Sequence, residues 1–373
     1  MTGPALPPRV ADRPRPLFVA ILIAIVLGGS VLMLAGYLAA VKHYHWRLPA
    51  ALQRVQALRP WLIDSRTQHL LQAIADQDDD QGVFQSIWDT NQGALLSKRM
   101  FRPVEMYSVT KYMYKPNLRK IMFRAGPIGF DDVIETEDTP AIRAALQGVT
   151  ADWVAASYDD LGFRHVDPEL SAACTSSAVF LGDSFTDGMW VSDRETFVNR
   201  YGHLVRERAG QPICPVDMGV NGYGSLEEAW VFEHYADRVP PPKIVFLMYF
   251  PNDVDEDYAA VVDGTVPDGP AKWEASLGYV RRAIEFARAR GIIFVLVAIP
   301  PAEQVQTGAT RAHYQDILRR FAETARVPFI DLLERFEATD HRGLYWDWDP
   351  HFTPRGHALV ADLLFDATAA MLR

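Results

Sequence analysis

Four short stretches of this chain carry residue types that together could perform acyl transfer. The first is Gly182-Asp183-Ser184-Phe185-Thr186-Asp187-Gly188, which follows the apolar run 178–181. A serine just past a buried strand, between glycines that permit a sharp turn, can present its hydroxyl at the edge of a sheet. A Gly-Asp-Ser tripeptide is equally an ordinary turn, in which Asp183 stabilises the turn rather than serving as an acid. The second is Gly219-Val220-Asn221-Gly222-Tyr223-Gly224, where a glycine lets a backbone N–H approach a ligand closely; it also reads as a plain turn. The third, Tyr249-Phe250-Pro251-Asn252-Asp253, offers an asparagine amide suited to a developing oxyanion, or one that merely caps a turn.

The fourth is Asp347-Trp348-Asp349-Pro350-His351-Phe352-Thr353-Pro354-Arg355-Gly356-His357. Thr353 followed by Pro354 reads as an N-cap and first helical residue, which leaves His351 on the loop before the helix. A general base must be free to meet the serine and be oriented by a carboxylate on its other nitrogen, which suits His351 with Asp349. His357 sits about one turn inside the helix, with less freedom to reach a strand end, and fits a structural role better.

These stretches need a frame that brings them to one place. Apolar runs at 178–181, 216–220, 243–250, 292–299 and 329–332 read as buried parallel strands. Helical segments around 226–235, 272–290 and 311–326 separate the last four, and a final helix covers 357–372. Such alternation specifies an open α/β sheet with helices on both faces, and ligands of these folds bind at the carboxyl ends of the strands. The first three stretches lie at such ends and the fourth in the loop before the last helix.

In that order and setting the chain resembles the SGNH hydrolase (GDSL-like lipase/esterase) superfamily, whose four blocks carry Ser, Gly, Asn and His, over roughly 161–373. The block Gly182-Asp183-Ser184-Phe185-Thr186 and the upstream Leu161-Gly162-Phe163-Arg164 resemble its membrane-anchored bacterial branch. The resemblance implies a three-layer α/β/α flavodoxin-like fold with a five-stranded parallel sheet. It implies Ser184 as nucleophile, Gly222 and Asn252 as oxyanion donors beside the Ser184 N–H, and Asp349 with His351 completing a triad. Two departures stand out: Pro251 precedes Asn252 where the family usually has glycine, and the acid lies two residues before the histidine rather than three. Trp348 occupies the commoner acid position, which leaves Asp349 as the choice over Asp347.

Composition narrows the function classes. The chain has 373 residues, 49% of them apolar and 23% charged, with a formal net charge of −10 that opposes binding to phosphate backbones. Nucleic acid is therefore not an expected partner. The two cysteines, Cys174 and Cys214, are too few for a disulfide scaffold or a clustered zinc site, and no metal or other cofactor is expected. A phosphatase or nuclease would need metal carboxylate clusters or a phosphate-cradling glycine loop.

Residues 17–41 run without a charge, and ~20 apolar residues suffice to cross a bilayer, so a single membrane anchor is expected after a short arm, 1–16. A cleaved signal peptide, with an apolar region of only ~7 to 15 residues, is the alternative. Arginines before the run and Lys42, Arg47, Arg54 and Arg59 after it nearly balance. Long domains translocate largely regardless of flanking charge, which favours the arm inside and the domain on the outer, extracytoplasmic side. Residues 42–160 form an accessory region: helical spacing over 51–74, a solvated acidic stretch at Asp76, Asp78, Asp79 and Asp80, and a β-rich segment over 101–164.

The expected activity is serine-dependent ester hydrolysis or O-acyl transfer on an acylated envelope glycan, lipid or small ester. A catalytically idle domain serving as a binding or assembly module of an envelope complex is the other reading. In the sheet order that the resemblance implies, the strands following Cys174 and Cys214 are neighbours. Their starts lie ~4.8 Å apart, so the two thiols could form a disulfide, or remain a pair of unrelated buried thiols.

Overall fold

The computed structural model describes residues 73, 95–96, 100–124, 133–147, 153–171, 174–254, 261, 268–307 and 313–372. The expected arm and anchor, the acidic stretch 76–80 and all of 51–74 except Ala73 lie outside these residues. Among the described residues no helix is long and apolar enough to cross a membrane. All of them belong to one compact unit, Arg66–Ala125 with Gly129–Arg373.

The accessory region supplies β1 (Leu95–Leu96), β2 (Phe101–Met106), β3 (Val109–Tyr114), β4 (Arg119–Arg124), β5 (Val133–Glu137) and β6 (Trp153–Ser157). β2 and β3 form an antiparallel hairpin, and the others a four-stranded sheet in the order β1-β5-β4-β6. Tyr107 and Ser108, with φ of 45° and 68°, make the hairpin turn. Two consecutive left-handed residues match the right-handed twist of the flanking strands, a geometry usually signalled by Asn-Gly or Asp-Gly.

The main sheet contains β7 (Ser176–Leu181), β8 (Ile213–Asp217), β9 (Pro242–Tyr249), β10 (Ile293–Ala298) and β11 (Phe329–Asp331). All its pairings are parallel, in the order β11-β10-β9-β7-β8, which is the doubly wound flavodoxin-like arrangement. The strands fall where the apolar runs predict them, with one shift: β8 starts at Ile213 rather than 216 and includes Pro215. Proline cannot donate to a ladder and within sheets is kept to edge strands, first residues and bulges; β8 is an edge strand.

Alternate side chains of each strand enter opposite layers. Val179, Leu181, Val245, Leu247, Leu296 and Ala298 share a core with Val231 and Phe232 of helix Ser225–Tyr235, Val280 and Ile284 of Gly269–Ala289, and Leu318 of His313–Ala325. Phe180, Phe246, Met248, Val295 and Val297 pack on the other face against Val198 of helix Phe197–Leu204 and Val360 and Leu364 of Pro354–Thr368. Each fully buried chain of this size contributes about 1.5–3 kcal/mol relative to exposure, so both faces must be covered. The first of these cores also contains Met106, Met113, Tyr114 and Met122 of the accessory strands, so the hairpin and small sheet share it with the parallel sheet.

Cys174 and Cys214 form a disulfide with Cα atoms 5.5 Å apart. The sheet register explains it: Cys214 is the partner of Ser177 across the β7–β8 pair, and Cys174 lies just ahead of β7.

Candidate active site

The first stretch follows β7 directly. Asp183 caps the single helical turn Ser184–Asp187 by accepting the Phe185 N–H at 2.9 Å, and Gly188, with φ of 74°, ends it. The turn packs tightly on the end of β8: a Cβ on Gly219 would lie 2.5 Å from the Asp187 nitrogen. Only glycine fits there, which explains the first glycine of the second stretch. Gly222 is required for a different reason, its φ of 78°.

In the fourth stretch Thr353 accepts the Gly356 N–H at 3.2 Å and Pro354 opens helix Pro354–Thr368, which leaves His351 on the preceding loop. From that loop the imidazole reaches the first stretch. Its Nε2 lies 2.7 Å from Ser184 Oγ, and its Nδ1 lies 2.6 Å from Asp349 Oδ1. Asp349 also accepts the His351 backbone N–H at 2.9 Å and, through its other oxygen, the Trp190 indole N–H at 3.1 Å. Asp347 is exposed and Asp349 buried. In the tautomer that donates from Nδ1 to Asp349, Nε2 is left to accept the serine proton. Burial alone pulls the His351 pKa down. The charge and hydrogen bond of Asp349, with the charges of Asp183 and Glu135, outweigh it and hold the pKa above 6.5. Phe185 packs against the ring with centroids 4.8 Å apart.

Asn252 stands in a short turn, Pro251–Asp253, that Pro251 opens at its first position after β9. Its amide donates to Asp183 Oδ2 at 2.7 Å. The stretches after β7 and β9 are thereby tied side to side, at the point where the strand order of the sheet reverses and such folds place their ligands. Asp183 is fully enclosed; burial pushes its carboxyl up to about 6, against the Phe185 N–H, the His351 charge and the Asn252 amide. His357 accepts the Phe197 N–H at 3.1 Å, and burial with nearby Arg164 and Arg200 drives its pKa well below 6.5. It anchors helix to helix.

Residues that the motif reading does not reach surround this core. Trp190 is one. Arg164, noted in the sequence without a role, is 1% exposed and donates to the Asp187, Gly188 and Val191 carbonyls at 2.6, 3.2 and 2.8 Å and to Asp193 at 2.7 Å. Lys120, also wholly buried, bonds Asp187 at 2.8 Å and pairs with Glu135 at 2.9 Å. Burial lowers its pKa, but the two carboxylates outweigh that and keep it charged.

The GDSL-like Lipase/Acylhydrolase family matches residues 180–359, from within β7 into the last helix, a span that contains Ser184, Gly222, Asn252, Asp349 and His351. No curated protein matches the chain. Similar solved structures include LAE5, an alpha/beta hydrolase from the metagenome of Lake Arreo, Spain, 20% identical over 54% of this chain and 98% of its own, with a TM-score of 0.42. A variant of Axe2, an acetylxylan esterase from Geobacillus stearothermophilus, is 18% identical over 52% and 94%, with a TM-score of 0.41. A member of the lipolytic protein G-D-S-L family from Veillonella parvula DSM 2008 is 19% identical over 51% and 97%, with a TM-score of 0.40. The family match supports the GDSL-like lipase/acylhydrolase (SGNH) superfamily for the parallel-sheet domain, and with it an esterase-type hydrolase.

Proposed function

We propose that this chain is a membrane-anchored serine esterase or O-acyltransferase of the envelope, with Ser184 as nucleophile, His351 as general base and Asp349 as the acid that orients it. The observation that carries the reading is the continuous chain Ser184 Oγ, His351 Nε2, His351 Nδ1, Asp349 Oδ1, with links of 2.7 and 2.6 Å. Ser184 Oγ attacks an ester carbonyl as His351 takes its proton, and Asp349 stabilises the imidazolium. The Ser184 and Gly222 N–H groups and the Asn252 amide, which is held by Asp183 at 2.7 Å, are the donors assigned to the tetrahedral oxyanion. His351 then returns the proton to the leaving alcohol, and water or a sugar hydroxyl accepts the acyl group. The charge-free run 17–41 supports the anchor, and an acylated glycan, lipid or small ester at the extracytoplasmic face is the substrate class.

The test is labelling of the full-length chain in detergent by a fluorophosphonate probe, with hydrolysis of a p-nitrophenyl ester series from acetate to palmitate, with and without glycan acceptors. Wild type is expected to label and turn over, and Ser184→Ala to do neither. Ser184→Ala with wild-type turnover, or an unlabelled and inactive wild type, overturns the assignment.

A further inference from the structure

Both backbone segments that would supply oxyanion donors are held by one charge cluster from the accessory strands. On the serine side, Asp187, the last residue of the turn that begins with Ser184, receives three donors from the accessory region. Lys120 Nζ and the Tyr114 hydroxyl reach Oδ2 at 2.8 and 3.2 Å, and the Tyr158 hydroxyl reaches Oδ1 at 2.7 Å. On the glycine side, the residues flanking Gly222 are both tied to the same region. Asn221 donates its amide to Glu135 at 2.8 Å and accepts the Tyr112 hydroxyl on its carbonyl at 2.9 Å, and the Tyr223 hydroxyl donates to the Tyr112 carbonyl at 2.6 Å. Lys120 joins the two sides, since the ammonium that bonds Asp187 also pairs with Glu135 at 2.9 Å. Lys120 and Glu135 are wholly buried and Asn221 is 6% exposed, so the bonds to Asp187 and the Asn221–Glu135 bond do not compete freely with water, while the two bonds of Tyr112 are partly buried.

We infer that Lys120, Glu135 and Asn221 are positioning residues that set the distance between the Ser184 and Gly222 N–H groups, making the accessory sheet part of the catalytic machinery. This rests on the esterase reading above. The physical argument is one of tolerance. An oxyanion donor works only within about 0.4 Å of its place, and a misplacement of ~1 Å can cost 10²-fold in rate. The Gly222 loop follows an edge strand, β8, whose last residue, Asp217, has among the described residues only a single bridge, to Arg164, on its outer side. Backbone bonds from the Met218 and Val220 N–H groups to the Phe180 and Gly182 carbonyls, at 2.8 and 3.1 Å, hold the start of the loop to the end of β7, and beyond Val220 the side-chain and carbonyl bonds of Asn221 and Tyr223 run to β3 and β5.

The experiment compares Asn221→Ala, Glu135→Ala and Glu135→Gln in the full-length chain by kinetics and by amide hydrogen exchange. Asn221→Ala alters no charge and is expected to lower kcat at least tenfold with KM within twofold, and to speed exchange over 219–223 at least tenfold while β10 is unchanged. Glu135→Ala should match it, and Glu135→Gln, which keeps an acceptor for the Asn221 amide, should recover most of kcat. Glu135→Ala leaves Lys120 short of a counter-charge and risks misfolding, so Asn221→Ala is decisive. An active wild type whose kcat and 219–223 exchange are both unaltered by Asn221→Ala overturns the inference. So does a loss confined to thermal stability. A wild type that neither turns over esters nor takes the probe fails the esterase reading; the oxyanion role then falls with it, and exchange alone decides whether the loop is clamped.

Discussion

At the residue scale, His351 sits between opposing influences whose balance sets a pH dependence. Burial favours the neutral ring, while Asp349 at 2.6 Å, with Asp183 and Glu135, favours the charged one and prevails. A base must be neutral to accept the Ser184 proton, so kcat/KM should rise with pH through an apparent pKa above 6.5. Asp349→Asn removes the largest influence that raises it. The acid limb should then move to lower pH, and kcat should fall by as much as ~10⁴ because the tautomer is no longer fixed. Asp347→Asn, at an exposed position, should leave the limb and kcat within about twofold. A pH–rate series on the two variants decides it, and the reverse order would reassign the acid. Ser184, Asp349 and His351 were legible because their local signals are strong: a glycine-bounded turn after an apolar run, and a histidine between a carboxylate and a Thr-Pro helix start. Trp190 and Lys120 were not, because their partners lie 159 and 67 residues away. No local pattern marks a long-range hydrogen bond.

At the element scale, helix Ser225–Tyr235 and the turn after β9 each bring a carboxyl into the interior without a partner. Neither oxygen of Glu228 nor of Asp253 has a hydrogen bond among the described residues, and the two are 1% and 8% exposed. Burial, and then the charge of Asp183 near Glu228 and of Glu228 and Asp183 near Asp253, raise both pKa values well above 4.5 and 3.8. The fold thus binds protons that the unfolded chain has released, and stability falls as pH climbs from those unfolded values through the folded ones. Glu228→Gln removes the ionisation. Its Tm should exceed that of wild type at pH 8 by ~2 to 4 °C, as for about 1 kcal/mol, and by less at pH 4.5. Scanning calorimetry at the two pH values checks this; an equal difference at both would show that ionisation of Glu228 is not the cause. The elements themselves were unequally readable. The five parallel strands declare themselves as continuous apolar runs because both faces are covered. The β2–β3 hairpin does not, since Tyr107 and Ser108 adopt positive φ without the usual turn residues. Helix Phe197–Leu204, only 8 residues long, carries too short a periodic pattern to stand out between β7 and β8.

At the scale of the whole molecule, the Cys174–Cys214 disulfide links compartment to fold. It closes a loop across 40 positions that contains the Ser184 turn and helix Phe197–Leu204. In the chain-entropy description, a loop of that length restricts the unfolded state by roughly 4 kcal/mol. Cys214→Ser, or reduction, should therefore lower the Tm clearly while leaving kcat near the wild-type value at 25 °C, since both cysteines stand at the starts of β7 and β8 and Ser184 follows the opposite end of β7. Such a bond persists only in an oxidising environment, which the proposed topology supplies by placing residues after 41 outside the cytoplasm. The opposite topology would keep both thiols reduced. Intact mass of protein isolated from its native membrane after thiol blocking separates the two. The bridged form should gain no alkyl groups before reduction and two after it. Two alkylated cysteines in the unreduced sample would remove the bridge from the native protein, and cytoplasmic reporters fused past Arg59 that stay active would remove the topology on independent grounds.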